Sequence, residues 1–162
     1  MPKYKPTIYL AYGSNLNLRQ MSYRCPTAEV VGPAELTGYD LKFRGGDGHA
    51  VATVESGDGS VPVLLWQIGP RDEMALDRYE GWPHLYRKES VTVELNGKPV
   101  DAMVYIMNEG HDLGQPSQRY FGTILDGYDA AGFDDTVLFE ALDRSQPEMA
   151  QEPEFGLDWD WC

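Results

Sequence analysis

The sequence predicts a single α+β domain in which a small mixed β-sheet, curled towards a barrel, is flanked by helices. Many short strand candidates are separated by turn residues, and helical patterns are inserted among them or appended after them. Strands and helices do not alternate regularly along the chain, which disfavours a doubly wound parallel sheet. The length of 162 residues suits one domain with a core of its own.

Seven segments are strand candidates because they are apolar and bounded by turn residues. They lie at residues 8–11, 28–32, 35–44, 50–55, 62–68, 86–95 and 100–107. Asn96-Gly97, between the last two, is a strong hairpin-turn signal. We also expect hairpin turns or loops at two glycine-rich segments, 45–48 and 56–59. Neither leads into a helix with a Lys-Ser or Lys-Thr ending, so neither indicates a phosphate-binding loop.

Four segments predict helices. The first two cover residues 17–21 and 70–80. The third follows Ser117, and the fourth begins near Asp134, which we expect to cap it. The second carries acidic residues in its first turn, where the helix dipole favours negative charge, and stops at Gly81 after Glu80. The third has apolar residues on one face, as expected of a packed amphipathic helix, and ends at Gly132.

The net charge of −13 limits the classes of partner. Phosphates are repelled at long range by an acidic protein, which argues against nucleic acid and anionic membranes as main partners. A local group of backbone N–H donors can still bind an anionic small molecule. No apolar run is long enough for a signal-peptide core or a membrane span.

The cysteines and histidines predict neither a disulfide framework nor a metal site. Cys25 lies inside the predicted fold and Cys162 is the last residue, so we expect no structural disulfide and a reduced, cytoplasmic setting. His49, His84 and His111 are scattered, without the spacing of metal ligands.

We place the domain boundary at residue 144. Residues 1–144 hold the predicted strands and helices, whereas residues 145–162 lose the periodicity and form an acidic C-terminal tail. Trp159 and Trp161 of the tail either dock on the domain or a partner, or lie in solvent. The identity of a protein partner is left open.

The first candidate binding element is Tyr12-Gly13-Ser14-Asn15-Leu16, called here the N-terminal turn. It follows a buried strand, so several backbone N–H groups meet in one small concavity. Gly13 permits either a positive φ or the close approach of a ligand, and Ser14 and Asn15 add short side-chain donors. Such N–H groups bind an anion or a polarised carbonyl oxygen. The alternative is an ordinary Gly-Ser-Asn turn.

The second candidate is Glu80, at the C-terminus of a predicted helix. The negative end of the helix dipole disfavours its ionised form, and Tyr79, Trp82 and Tyr86 offer an apolar wall. Both effects raise a carboxyl pKa towards the value that a general base needs at neutral pH. The alternative is a solvated surface carboxylate beside a helix-ending glycine. Tyr120 likewise either packs in the core or points its hydroxyl at a ligand.

The order and spacing of these elements resemble the γ-glutamylcyclotransferase-like family, which includes the AIG2-like proteins. The resemblance runs from about Thr7 to Leu142. It rests on the N-terminal turn, Leu76-Asp77-Arg78-Tyr79-Glu80-Gly81, Tyr86 and Pro116-Ser117-Gln118-Arg119-Tyr120. The first two motifs are specific together, although each is weak alone.

The resemblance implies a barrel with flanking helices and one ligand cavity. It implies that the N-terminal turn holds a γ-glutamyl group, largely through backbone donors, that Glu80 is the catalytic acid/base, and that Tyr86 and Tyr120 contact the ligand. The expected reaction converts a small γ-glutamyl amine or amino acid into 5-oxoproline and a free amine, without metal or cofactor. The other hypothesis is a non-catalytic ligand- or protein-binding module on the same fold.

Overall fold

The computed structural model describes residues 6–146, in which one five-stranded sheet is surrounded by four α-helices and a 3₁₀ turn. The strands are β1 (Thr7–Ala11), β2 (Glu29–Arg44), β3 (Val51–Ile68), β4 (Tyr86–Leu95) and β5 (Lys98–Met107). The helices are α1 (Leu18–Arg24), α2 (Pro70–Tyr79), α3 (Gln118–Ala131) and α4 (Thr136–Arg144), and the 3₁₀ turn covers Ser14–Leu16. None of the helices described here is both long and apolar enough to cross a membrane.

The sheet is mixed and has the order β2-β3-β1-β5-β4. β1 lies at its centre, antiparallel to β3 and parallel to β5, with Tyr9 opposite Met103. The sheet curls, so that its two edge strands approach each other: a Cβ atom at Gly32 of β2 would lie 3.1 Å from Cδ1 of Leu95 in β4. The predicted fold class is confirmed.

Four of the predicted strands join in pairs into two long strands, β2 and β3. The expected connection at residues 56–59 is therefore wrong, since Ser56 pairs with Tyr39 and Ser60 with Thr37 of β2. The glycines serve a different purpose there. A Cβ atom at Gly57 or Gly59 would collide with the Asp40 side chain of β2, so these positions leave space for that carboxylate. The connection at residues 45–48 lies between β2 and β3, as predicted.

Local capping explains where the helices begin and end. Ser117 accepts a hydrogen bond from the Tyr120 N–H at the start of α3, and Gly132 ends that helix with φ 74°. α2 ends at Glu80 and Gly81, the latter with φ 65°. α1 is longer than predicted and reaches Arg24, a difference that affects the functional site. The tail lies outside the described residues, apart from its first two.

α3 crosses directly over the N-terminal turn and holds it in place. A Cβ atom at Gly127 of α3 would lie 2.7 Å from Cβ of Leu16 and 3.0 Å from the Asn17 nitrogen. The Asn17 side chain also donates to the Thr123 carbonyl oxygen at 3.0 Å. The helix approaches the turn this closely because residue 127 has no side chain.

We expect Gly127→Ala to destabilise the protein by about 1–3 kcal/mol, because the methyl group pushes α3 away from Leu16. Urea unfolding measures this change. Gly122→Ala is the matched control in the same helix, where nothing lies within 4 Å of a Cβ atom. That control should be neutral or stabilising by up to about 1 kcal/mol, since alanine has the higher helix propensity. Equal effects at both positions would contradict the proposed close packing.

Candidate active site

A cavity of about 160 Å³ lies beside the C-terminal end of β1. Its walls come from the N-terminal turn, the beginning of β3, the end of α2 and the first turn of α3. Six tyrosines line it: Tyr9, Tyr12, Tyr79, Tyr86, Tyr105 and Tyr120. Glu80 lines the same cavity and is the one residue of the lining with a carboxyl, ammonium, guanidinium or imidazole group.

All the site residues predicted from the sequence line this cavity except Leu16. The Leu16 side chain is buried in the core below Gly127, and its N–H donates to the Gly13 carbonyl oxygen at 3.0 Å. Leu16 therefore supports the turn from the core side and does not line the cavity. The tertiary fold brings the other predicted residues together, although some are more than a hundred positions apart.

The backbone N–H groups of Gly13, Ser14 and Asn15 have no acceptor among residues 6–146. Three neighbouring amides without an intramolecular acceptor are suited to an anionic oxygen. Gly13 has φ −124° and ψ −129°, so a positive φ is not the reason for the glycine. A Cβ atom there would make an ordinary contact of 3.4 Å with Cβ of Ala52 and lie 3.6 Å from the Tyr120 hydroxyl, among residues that line the cavity.

The side chains of Ser14 and Asn15 form hydrogen bonds with tyrosines of the cavity wall. Ser14 Oγ and Tyr79 Oη share a hydrogen bond of 2.7 Å, and Asn15 Nδ2 donates to Tyr9 Oη at 2.9 Å. These hydrogen bonds connect the turn to the cavity wall. The backbone amides of the turn, by contrast, have no acceptor among residues 6–146.

Tyr86 and Tyr120 hold the strand on the opposite side of the cavity. Tyr86 Oη donates to the Ala52 carbonyl oxygen at 2.5 Å, and the Ala52 N–H donates to Tyr120 Oη at 3.0 Å. The Tyr120 hydroxyl accepts in this bond, so its own proton is available to a ligand. Tyr120 thus both packs against the core and faces the cavity, which combines the two alternatives left open by the sequence.

The Glu80 carboxyl group has no hydrogen-bond partner among the described residues. Burial raises its pKa from 4.5 to about 7, and the Arg24 guanidinium opposes this increase. The expected upward shift is present, with burial as its cause. Trp82 is not part of the wall, because 42% of it is exposed and its ring contacts Lys88, with Nζ 4.2 Å from the ring centre. Leu85 and the tyrosines enclose the carboxyl group instead.

Comparison with known proteins assigns the chain to a family. Residues 9–123 match the family model for gamma-glutamyl cyclotransferase, AIG2-like proteins. The chain belongs to this family. A sequence comparison with curated proteins found no significant match.

Solved structures share the fold of this AIG2-like chain. One described as a gamma-glutamyl cyclotransferase is 24% identical, with a TM-score of 0.75 over 92% of this chain and 93% of the other. An uncharacterized human protein is also 24% identical, with a TM-score of 0.76 over 90% and 91%. A yeast gamma-glutamyl cyclotransferase specific to glutathione is 13% identical, with a TM-score of 0.58 over 86% and 99%. Family membership supports a cyclotransferase-like activity in general terms.

Several residues of this AIG2-like site were not found by the sequence analysis. Tyr9 and Tyr105 line the cavity, and Tyr105 Oη donates to Asp77 Oδ1 at 2.6 Å, which attaches α2 to the sheet. Arg24 lies outside the lining but stacks on the Tyr79 ring. An alternating strand pattern gives a weak signal for Tyr9. No local pattern points to Arg24, whose contacts depend on how α1 packs against α2.

Metal ligation has no basis in the part of the chain that the structure describes. No group of three or more histidine, cysteine, aspartate or glutamate residues there lies close enough to hold an ion. The lining of this AIG2-like cavity combines one carboxyl group of near-neutral pKa with the residues that carry the three amides.

The raised pKa of Glu80 makes a prediction about stability. The folded protein binds this proton more tightly than the unfolded chain, so stability is lost as the pH rises from about 4.5 to about 7, and the loss is complete above that range and absent below it. We expect Glu80→Gln to raise the free energy of unfolding by about 1–3 kcal/mol at pH 8, and the gain to disappear by pH 4.5. Urea unfolding at several pH values measures it. An equal gain at every pH would contradict the assignment.

Proposed function

We propose that this protein converts a γ-glutamyl amine or γ-glutamyl amino acid into 5-oxoproline and a free amine, with Glu80 as general acid/base. The observation that supports this most is the unpaired Glu80 carboxyl, of pKa about 7, in a cavity whose wall carries three amides without intramolecular acceptors. A base of near-neutral pKa is ionised in a large fraction of molecules at pH 7 and accepts protons effectively.

Substrate binding relies on charge complementarity inside the cavity. The α-ammonium group of a γ-glutamyl compound pairs with the Glu80 carboxylate. The amides of Gly13, Ser14 and Asn15 bind an anionic oxygen, either the α-carboxylate or the oxyanion that forms at the γ-carbonyl. The hydroxyl proton of Tyr120 provides one further donor. These contacts fold the glutamyl chain so that its amine approaches its own carbonyl carbon.

The reaction exchanges one C–N bond for another and moves two protons off the α-nitrogen. Glu80 removes the first proton from the α-ammonium group, and the freed amine attacks the γ-carbonyl carbon to form the C–N bond of a five-membered lactam. Glu80 passes this proton to the departing nitrogen, and the regenerated carboxylate takes the second proton from the ring nitrogen. The original amide C–N bond breaks, and the second proton leaves with the departing amine, which is released as an ammonium ion. Holding the amine next to the carbonyl contributes much of the rate enhancement, because the attack is intramolecular.

The size of the cavity indicates which part of the substrate it encloses. A volume of about 160 Å³ is smaller than the roughly 300–1,000 Å³ of pockets that enclose drug-sized ligands. We propose that the cavity encloses the γ-glutamyl group alone, and that the leaving amine lies at the mouth. Val51, Leu85 and the half-exposed Tyr79 line the cavity together with Glu80 and offer an apolar contact for the leaving group.

The test is release of 5-oxoproline from a panel of γ-glutamyl alkylamines, γ-glutamyl amino acids and γ-glutamyl-ε-lysine. We expect release from at least one class, and loss of that release in Glu80→Gln. Glu94→Gln, which alters an exposed carboxylate on β4, is the matched control and should keep the wild-type rate. Folded wild-type protein that releases no 5-oxoproline from any of them would contradict the proposal and favour the non-catalytic binding module.

The domain boundary at residue 144 and the cytoplasmic setting belong to the same proposal. Helix α4 ends at Arg144, which supports a catalytic domain of residues 1–144 followed by an acidic tail. Cys25 is a free, buried thiol, and burial raises its pKa to about 11. A buried thiol of this kind is unreactive and fits a reducing compartment.

A further inference from the structure

Arg24, the last residue of α1, lies outside the cavity lining but contacts two segments that form it. Its Nη1 donates to Asn15 Oδ1, and its Nη2 donates to Gln20 Oε1 at 2.7 Å. The Cζ atom lies 3.4 Å from the centre of the Tyr79 ring. One half-buried guanidinium group therefore contacts the N-terminal turn through Asn15 and the end of α2 through Tyr79.

Both contacts are to residues that determine the shape of the cavity. Asn15 carries one of the amides without an intramolecular acceptor and donates to Tyr9 Oη at 2.9 Å. Tyr79 directly precedes Glu80 and shares a hydrogen bond of 2.7 Å with Ser14 Oγ. The guanidinium thus closes a ring of contacts that joins the amides to the residue next to the carboxyl group. A shift of Arg24 would move both at once.

The charge of Arg24 also acts on Glu80. Within residues 6–146, no carboxylate lies within ion-pair distance of Arg24. The other titratable groups that line the cavity with Glu80 are tyrosines from β1, the N-terminal turn, α2, β4, β5 and α3. They are Tyr9, Tyr12, Tyr79, Tyr86, Tyr105 and Tyr120. Burial raises the pKa of Tyr9, Tyr12, Tyr86, Tyr105 and Tyr120. Arg24 is therefore the cation that opposes burial of the Glu80 carboxylate.

We propose that Arg24 is a positioning residue of this site: its guanidinium aligns the amides of the N-terminal turn with Glu80, and its charge keeps the Glu80 carboxylate available as a base. The proposal rests on the proposed function only for its effect on turnover. Arginine suits the position because its planar group stacks on a ring and directs several N–H groups at once, whereas a lysine ammonium does neither.

The first test measures the Glu80 carboxyl directly and does not require activity. Titration of the glutamate side-chain carboxyl carbon by NMR is compared in the wild type, Arg24→Gln and Arg19→Gln, with Glu80→Gln identifying the signal. Loss of the Arg24 charge should raise the titration midpoint by about 0.5–1 pH unit. Arg19→Gln removes an exposed charge from the same helix without these contacts and should leave the midpoint unchanged. An unchanged midpoint in Arg24→Gln would overturn the electrostatic part.

The second test separates charge from position through turnover. In Arg24→Gln, the acidic limb of the pH profile of kcat/KM should move upward by the same amount as the titration midpoint. Arg24→Lys keeps the charge, so its limb should stay close to that of the wild type while kcat falls about tenfold, as expected for misaligned groups. Wild-type kcat in Arg24→Lys would overturn the positioning role. A wild-type protein without turnover would instead count against the proposed function, while the NMR titration would still test Arg24.

Discussion

Glu80→Gln is expected to lower kcat by about 10²–10⁴-fold while the protein stays folded. The substitution keeps the size of the side chain but removes the group that accepts and returns the proton. Because the side chain has no hydrogen-bond partner among the described residues, the exchange breaks no intramolecular bond there. Steady-state kinetics with 5-oxoproline as the measured product would show the loss.

The pH profile of the wild type provides an independent check of this assignment. A base must be deprotonated, so kcat/KM should rise with pH and level off above an apparent pKa near 7, the value to which burial raises Glu80. Glu94→Gln should retain both the wild-type rate and the wild-type pH dependence of kcat/KM. Full activity in Glu80→Gln, or a wild-type limb that stays near pH 4.5, would exclude Glu80 as the base.

Gly13→Ala is expected to lower kcat/KM by about 10–100-fold without unfolding the protein. A methyl group at this position would lie 3.4 Å from Cβ of Ala52, an ordinary contact that the fold tolerates. It would, however, occupy the part of the cavity between the open amides and the Tyr120 hydroxyl, 3.6 Å away. The γ-glutamyl group would lose its place beside those amides.

The measurement is kcat/KM together with thermal unfolding of the same preparation. Gly46→Ala is the matched control, because its Cβ atom has no neighbour within 4 Å and residue 46 lies in the exposed connection between β2 and β3. The control should retain wild-type kinetics. If Gly13→Ala were equally active, close approach of a ligand would not be the reason for glycine at this position.

Local sequence was enough to place the main elements of the site. Gly81 after an amphipathic segment predicts that Glu80 ends a helix, and the structure has it there as the residue after Tyr79. Asn96-Gly97 predicts the β4–β5 hairpin, in which both residues have positive φ. These predictions succeed because helix ends and tight turns depend on the conformational preferences of a few adjacent residues.

Predictions failed where pairing or packing between distant segments prevailed over local preference. Glycines at residues 56–59 indicated a turn, but the flanking residues Ser56 and Ser60 both pair with β2, and the segment between them is an irregularity within one long strand that lies against the Asp40 side chain. Leu16 is among the predicted site residues, but its side chain packs in the core where α3 crosses at Gly127 and does not line the cavity. Neither Asp40 nor Gly127 is close in sequence to the segment that it affects.

The sequence by itself determined the α+β class, the family resemblance, the position of Glu80 at a helix end and the cluster of amides after a buried strand. These features follow from residue types and spacings within short segments. Only the tertiary structure decided that the residues of the N-terminal turn and Glu80 line one cavity, that tyrosines rather than Trp82 enclose Glu80, and that Arg24 contacts Asn15 and Tyr79. The pKa of Glu80 depends on burial and on a charge 56 positions away in the chain, which only the packing of α1 against α2 brings close.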